Sequence, residues 1–280
     1  MNEYIKHFTG LKRNYGVCKT KEGFIDPESG KKRYPHEWAQ TDVLDQDYID
    51  HLDGVKSIGI QPCTDEGTAR FGAIDVDKYP IDRKFYLEII QNKKLPIIPV
   101  LSKSGGLHLY VFTTEFVKAK EIRDFLEQVL FLFKLPISTE IFPKQTSLGE
   151  NADGEKTNGN FINLPYNSGS RKALMPTGEE MNIEMFLKVI ESNAQTSDQL
   201  KDIQKRIVRE EISGGGQEFE EGPPCLAILT KSKMKDGRDR FLYNYMVFAK
   251  KKYPDKWQDK IIEAARNYFE FDSKWTDIEV

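Results

Sequence analysis

The sequence predicts an α/β fold of the α+β kind, followed by a small all-helical domain. Three observations support this prediction. Apolar segments with strand and helix periods alternate between residues 55 and 167. Two strand segments are joined by a short Gly-containing turn, which indicates a hairpin and hence a mixed or antiparallel sheet. Beyond residue 180 the pattern is helical, interrupted by a Gly- and Glu-rich linker.

The composition is that of an ordinary globular protein. The chain has 280 residues, of which 39% are hydrophobic and 30% charged, with a formal net charge of −3. This length predicts one large domain or two. Cys18, Cys63 and Cys225 lie far apart, which fits a reducing cytoplasm and argues against disulfides and structural zinc. No apolar run approaches the about 18 residues of a membrane span, so we expect no membrane partner.

The elements follow from the apolar pattern in chain order. We expect strands at 55–62, 69–77, 95–104, 106–113, 138–145 and 160–167. We expect helices at 83–94, 115–135 and 180–212. A domain boundary near 178–183 divides the chain into an α/β domain at 1–180, a helical and linker segment at 181–222 and a small helical domain at 223–280.

The segment FGAIDVDKYP places two acids, Asp75 and Asp77, at the end of a strand that we expect to be buried. Residues i and i+2 of a strand share a face, so the two carboxylates project side by side. Like charges this close repel unless a cation lies between them, and a hard divalent metal ion is a suitable cation. The alternative is two strand-end acids that cap a turn or pair with Lys78 or Arg83.

The segment LSKSGGLHLYVF combines Ser102, Lys103 and Ser104 with Gly105–Gly106 and, two residues later, His108. Glycines let backbone amides approach a phosphate, Lys103 supplies positive charge, and a histidine donates to phosphate oxygens. The alternative is a plain hairpin turn followed by a histidine with satisfied hydrogen bonds.

A third acid, Glu140, lies in the strand segment STEIFPKQ. Taken alone, it is equally well explained as a surface residue on an edge strand that Pro143 ends. Together, the acid pair, the Ser/Lys/Gly/Gly/His turn and this third acid match what two-metal phosphoryl transfer requires, namely carboxylates for Mg²⁺ or Mn²⁺ and donors for a triphosphate.

The order IDVD, SKSGGLH, TEIF resembles the three motifs of the archaeo-eukaryotic primase superfamily, the primase-polymerases. HFTGLKRNYG, HLDGVKSIGIQP and GNFINLPY resemble the branch found in phage and conflict-system primases, and the segment at 222–257 resembles the helical domain behind many phage primase cores. The resemblance implies an RRM-like mixed-sheet module plus an N-terminal α/β module. It places Asp75, Asp77, His108 and Glu140 on facing parts of one cleft.

The resemblance also implies roles for individual residues. Asp75, Asp77 and Glu140 correspond to the metal-binding acids, although many relatives have Asp at the third position. His108 corresponds to the residue that contacts the incoming nucleotide's phosphates. The remaining nucleotide-binding candidates are Ser102, Lys103, Ser104, Gly105, Gly106, Lys144, Asn163 and Arg171. The SGGLH turn is one residue tighter than the SGxGxH of some relatives.

The C-terminal segment mixes basic residues with aromatic residues at helical spacing. We expect most of the aromatics to form a small hydrophobic core. Phosphate contact needs charge rather than base-reading geometry, so the basic residues are candidates for binding template DNA: Arg238, Arg240, Lys250 and Lys251. The chain ends at SKWTDIEV, and we expect it to be the N-terminal part of a longer protein in which a helicase follows.

The sequence therefore predicts a cytoplasmic, monomeric DNA primase-polymerase of a bacterial, phage or mobile-element replication system. Its expected partners are a single-stranded DNA template, NTPs or dNTPs, and a helicase in cis or in trans. Two alternatives remain open. A Mn²⁺-dependent nucleotide-sugar transferase would use the same acid pair, and a non-catalytic RRM-like module would bind nucleic acid without metal.

Overall fold

The computed structural model describes the chain apart from residues 20–22, 26, 28–31, 78, 137, 152–153, 155, 214–221, 231–237 and 270–280. It divides into two compact units, Met1–Ile203 and Gln204–Val280. Most of the predicted linker at 214–224 and the end of the chain lie outside the described residues. No helix in the described part of the chain is long and apolar enough to cross a membrane.

The first unit contains two four-stranded sheets and a short hairpin. Its strands are β1 Tyr15–Cys18, β2 Phe24–Ile25, β3 Lys32–Arg33, β4 His36–Ala39, β5 Ser57–Ile60, β6 Thr68–Val76, β7 Ile98–Leu101, β8 Leu107–Lys118, β9 Glu140–Phe142 and β10 Ile162–Asn163. The first sheet has the order β10-β5-β1-β4, the second sheet β7-β8-β6-β9, and β2 pairs with β3. The strand pairs described within these sheets are antiparallel.

Helices flank these sheets and make up the second unit. In the first unit they are α1 Asn2–His7, α2 Asp45–Leu52, α3 Arg83–Asn92, α4 Ala119–Leu132 and α5 Ile183–Asn193, with a 3-10 turn at Asn167–Gly169. α6 Ser197–Ser213 crosses the division between the units. The second unit continues with α7 Pro224–Leu229, α8 Arg238–Lys252 and α9 Trp257–Tyr268.

Two predictions about helix boundaries are wrong. The helix predicted at 180–212 is two helices, α5 and α6, separated by residues 194–196. The helix expected at 115–135 begins only at Ala119, because β8 runs on to Lys118. Thr68 and Ala69 at the start of β6 pair with Lys118 and Val117, so this part of β8 obtains its backbone hydrogen bonds from a neighbouring strand. Strand pairing outweighs the helical apolar spacing of these few residues.

An aromatic core joins the second sheet to α1 and α5. Phe8, directly after α1, is fully buried, and its ring lies within 6.2 Å, centroid to centroid, of Phe71, Tyr110, Phe112 and Phe186. Burying one such side chain stabilises the fold by roughly 1.5–3 kcal/mol. This packing fixes the positions of β6 and β8 relative to the neighbouring helices.

The second unit has a core of its own, formed by residues of α7, α8 and α9 and by Phe269, which directly follows α9. The buried members are Leu226, Phe241, Tyr245, Phe248, Ala249, Ala264 and Phe269. The prediction that most tail aromatics form a small hydrophobic core is therefore confirmed, with Tyr243 at 64% exposure outside it.

Candidate active site

The central feature of the site is a row of three side chains across the second sheet. Asp75 on β6 is paired in register with His108 on β8 and, on its other side, with Glu140 on β9. Residues directly opposite each other on neighbouring strands share a face, with Cβ atoms about 4.5–5.5 Å apart. The sheet thus places the three predicted residues side by side, on one wall rather than on facing parts of a cleft.

His108 is buried at 8% exposure and contacts the acid beside it. Its Nε2 lies 3.5 Å from Asp75 Oδ1. Burial, followed by the nearby positive charge of Arg171, lowers the pKa of His108 to about 4, while Asp77 acts in the opposite direction. The imidazole is therefore neutral at pH 7 and acts as a hydrogen-bond group rather than as a cation.

Glu140 is half-exposed and is paired with a cation from the same chain segment. Lys144 Nζ donates to Glu140 Oε1 at 2.6 Å, and the same ammonium lies 5.3 Å from the centre of the Phe142 ring. This arrangement keeps a positive charge beside the row of acids, where it compensates their mutual repulsion.

Asp77 differs from the prediction in its surroundings. β6 ends at Val76, so Asp77 lies just beyond the strand and is exposed, and Asp75 is only partly buried. The prediction of two acids within a buried strand is therefore wrong, because the strand ends at Val76, before the second acid. The Tyr79 hydroxyl, which the sequence analysis did not single out, lies 2.8 Å from Asp77 Oδ1 and 2.9 Å from Ser104 Oγ.

The predicted Gly-containing turn connects β7 to β8. Ser102 N donates to Gly106 O at 2.9 Å, and Gly105 has a φ of 87°, which favours glycine. A Cβ on Gly106 would lie 2.7 Å from the Val76 carbonyl oxygen. The absence of a side chain at Gly106 therefore lets the turn approach the end of β6, beside the acid pair.

A cleft of about 280 Å³ opens over the row. Asp75, His108, Glu140 and Lys144 line its second-sheet side. The first sheet and the segment before β10 contribute the other side through His36, Trp38, Phe161 and Asn163.

Two features of the first-sheet side favour a ligand with polar and aromatic parts. The rings of Trp38 and Phe161 lie 4.8 Å apart, edge to face. The side-chain oxygen of Asn163 is buried and has no hydrogen-bond partner among the described residues. The aromatic pair was missed by the sequence analysis because the two rings are far apart in the chain and meet only in the tertiary structure.

A second cavity, of about 270 Å³, is lined by further residues that the sequence predicted to bind nucleotide. Its lining includes Ser102, Lys103 and Arg171, together with Tyr34. Lys103 Nζ lies 4.1 Å from the Tyr34 ring centre. Arg171 is 7% exposed, donates to Leu164 O at 3.1 Å and to Ser57 Oγ at 3.0 Å, and burial lowers its pKa. Two cationic side chains thus line one cavity beside the turn.

Comparison with protein families shows which family the chain belongs to. Residues 9–208, more than half of its length, match the family model described as "TOTE conflict system, Archaeo-Eukaryotic Primase domain". The chain belongs to this family. The resemblance inferred from the three motifs is confirmed, as is the fold class of a primase core followed by a helical part. None of the curated proteins compared with the chain matches it.

The family assignment makes this chain a primase-like nucleotidyltransferase family member, and such primase domains typically depend on a divalent metal. The donor set of Asp75, Asp77 and Glu140 consists of carboxylate oxygens, which suits Mg²⁺ or Mn²⁺. In this structure Glu140 accepts a hydrogen bond from Lys144, and Asp77 accepts one from Tyr79. A metal ion held by these carboxylates would therefore compete with these two contacts.

The predicted DNA-binding residues belong to α8 of the second unit. Arg240, Lys250 and Lys251 are exposed. The ammonium of Lys250 lies 4.3 Å from the Trp257 ring centre, so this side chain also packs on α9. The side chain of Arg238 lies outside the described part of the chain.

Proposed function

We propose that this chain is a DNA primase-polymerase, which joins nucleoside triphosphates on a single-stranded DNA template in a metal-dependent reaction. The observation that carries the proposal is the in-register row of Asp75, His108 and Glu140 along one wall of the cleft. This row combines two metal-ligating acids with a neutral donor, which is what nucleotidyl transfer requires at the reacting phosphate.

The acids Asp75, Asp77 and Glu140 would hold Mg²⁺ or Mn²⁺. When bound, such ions would supply Lewis-acid activation of a primer 3′-hydroxyl and charge stabilisation for the pyrophosphate leaving group. Lys144 compensates the charge of Glu140 through their ion pair. Once displaced from Glu140, its ammonium becomes available to a nucleotide phosphate.

The triphosphate would lie against the turn at 102–106 and the cavity beside it. Lys103 and Arg171 supply positive charge there. Neutral His108 donates a hydrogen bond to a phosphate oxygen, so its contribution does not depend on its own charge. The base and sugar would face Trp38, Phe161 and Asn163 across the cleft.

The second unit would assist template binding through the basic residues of α8. Such contacts depend on charge and therefore weaken as salt rises. A helicase, in cis beyond Val280 or in trans, would supply the single-stranded template.

The test is nucleotide incorporation on an unprimed and on a primed single-stranded DNA, with Mg²⁺ or Mn²⁺ and either NTPs or dNTPs. Asp75→Asn keeps the shape of the side chain and removes its charge. We expect it to reduce product by at least about 100-fold, since it removes a carboxylate proposed to bind metal. Asp42→Asn, at an exposed acid, serves as the control and retains activity.

Product on the unprimed template that disappears in Asp75→Asn supports a primase. Product on the primed template alone supports a polymerase without initiation. Absence of product from a folded protein contradicts the proposal. In that case metal-independent RNA binding would identify the binding-module alternative, and turnover of a nucleotide sugar the transferase alternative.

A further inference from the structure

A second cluster of ligand-type side chains lies away from the cleft, where α1 meets α5. Glu3 and His7 are separated by one helical turn of α1, and Glu191 lies near the end of α5. One ligand atom from each residue lies within 4.8 Å of the other two. Helical i, i+4 spacing places Glu3 and His7 on one face, and the packing of α5 adds the third residue.

His7 is the member of this cluster that the fold leaves unexplained. Its side chain is only 4% exposed, yet neither ring nitrogen has a hydrogen-bond partner among the described residues. A buried polar group without a partner is costly. The ring is oriented toward the acids, with Nε2 3.8 Å from Glu3 Oε2.

We propose that Glu3, His7 and Glu191 bind a transition-metal ion of the Zn²⁺ type, which fastens α1 to α5. One imidazole and two carboxylates are ligands that Zn²⁺ accepts, with a fourth position left for water. The imidazole selects against Mg²⁺, which prefers oxygen ligands only.

Lys6 is the cation that contacts the Glu3 carboxylate in this structure. Its Nζ donates to Glu3 Oε2 at 2.8 Å, and this contact lowers the pKa of Glu3. Both side chains are 46% exposed, so Lys6 can turn toward solvent at little cost when a divalent ion takes its place. Metal binding and the Lys6 contact are therefore mutually exclusive at this oxygen.

The proposed site is distinct from the row of acids in the cleft. The His7 ring packs edge to face on Phe112 of β8, with ring centres 6.0 Å apart. His108 lies four residues earlier on the same strand, which corresponds to about 13 Å at the usual rise. The site forms only in the tertiary structure and uses no cysteine, so the expectation of no structural zinc, drawn from cysteine spacing, did not consider it.

The test is Zn²⁺ titration calorimetry on the full chain carrying Asp75→Asn, Asp77→Asn and Glu140→Gln, which removes the three acids expected to bind metal at the cleft. We expect one Zn²⁺ to bind and to raise the melting temperature. Glu191→Gln should weaken binding at least about tenfold, and an exposed residue tolerates this change. Glu184→Gln, on the same helix and also exposed, should leave it unchanged.

Lys6→Gln should change the Zn²⁺ affinity in the opposite direction to Glu191→Gln. Because it frees the Glu3 carboxylate, it should tighten Zn²⁺ binding, which a purely structural role of this cluster does not predict. The proposal is overturned if the parent chain shows no saturable binding below millimolar Zn²⁺. It is also overturned if Glu191→Gln binds Zn²⁺ as the parent does, since the ion then lies elsewhere, for example at the exposed thiol of Cys225.

Discussion

At the residue scale, Tyr79 joins the two motifs that the sequence analysis treated separately. Its hydroxyl lies between Asp77 Oδ1 and Ser104 Oγ, at 2.8 and 2.9 Å. The acid pair and the glycine turn are therefore connected by one side chain that belongs to neither motif. This connection positions the turn relative to the acids before any nucleotide binds.

Tyr79→Phe removes this connection and preserves the ring. One hydrogen bond is worth about 0.5–1.5 kcal/mol, so we expect the KM for nucleotide to rise roughly three- to tenfold. The free energy of unfolding should change little, because Tyr79 is 41% exposed. Steady-state incorporation kinetics and urea unfolding measure the two effects. Tyr243→Phe in the second unit is the matched control, and an unchanged KM would contradict the positioning role.

At the element scale, the first sheet makes room for the cleft wall with two glycines. Gly16 on β1 and Gly59 on β5 are directly opposite each other in register. A Cβ on Gly16 would lie 2.3 Å from the Phe161 ring, and one on Gly59 2.4 Å from it. The ring that lines the cleft therefore rests on a surface without side chains.

Gly16→Ala pushes the Phe161 ring away from the sheet, because this ring supplies the three nearest atoms. We expect a loss of about 1–3 kcal/mol in the free energy of unfolding, together with a lower kcat/KM. Gly149→Ala, at a glycine with open space around it, should change stability by less than about 0.5 kcal/mol. Equal stabilities of the two variants in urea unfolding would contradict this account of the wall.

At the scale of the whole first unit, His51 connects three parts of the chain. It is fully buried in α2; Ile58 N of β5 donates to its Nδ1 at 3.0 Å, and its Nε2 lies 2.9 Å from Pro165 O. Since Nδ1 accepts, the proton is on Nε2, which donates to Pro165. Burial, with Arg171 adding to it, lowers the pKa of His51 to about 4. Protonation would break the bond from Ile58.

This arrangement predicts acid sensitivity. Between about pH 6.5 and pH 4 the unfolded chain binds a proton at His51 that the folded chain does not, so stability falls as the pH falls through this window. We expect His51 to contribute a loss of about 1 kcal/mol between pH 7.5 and pH 5.5. His51→Gln keeps a donor and an acceptor without titrating. Urea unfolding at both pH values should show that the free energy of unfolding falls less in this variant than in the wild type. Equal falls in the two proteins would contradict the prediction.

The motifs were predictable because they depend on neighbouring residues. The alternation around IDVD, the glycines of SKSGGLH and the apolar residues of TEIF are local signals, and each predicted a strand or turn that the structure contains. The end of α4 nearest β8 was not predictable, because the pairing of Lys118 with Thr68 depends on a distant part of the chain. Tyr79, Trp38 and Phe161 were missed for the same reason.

The sequence alone determined the family and the residue types of the candidate site through the resemblance of its motifs. It also determined the fold class, because apolar spacing acts through short-range geometry. Only the tertiary structure decided the register that places Asp75 between His108 and Glu140. It alone brought Glu191 to Glu3 and His7. These contacts join elements far apart in the chain, and their geometry depends on how the sheets and helices pack around a shared core, which local periodicity does not encode.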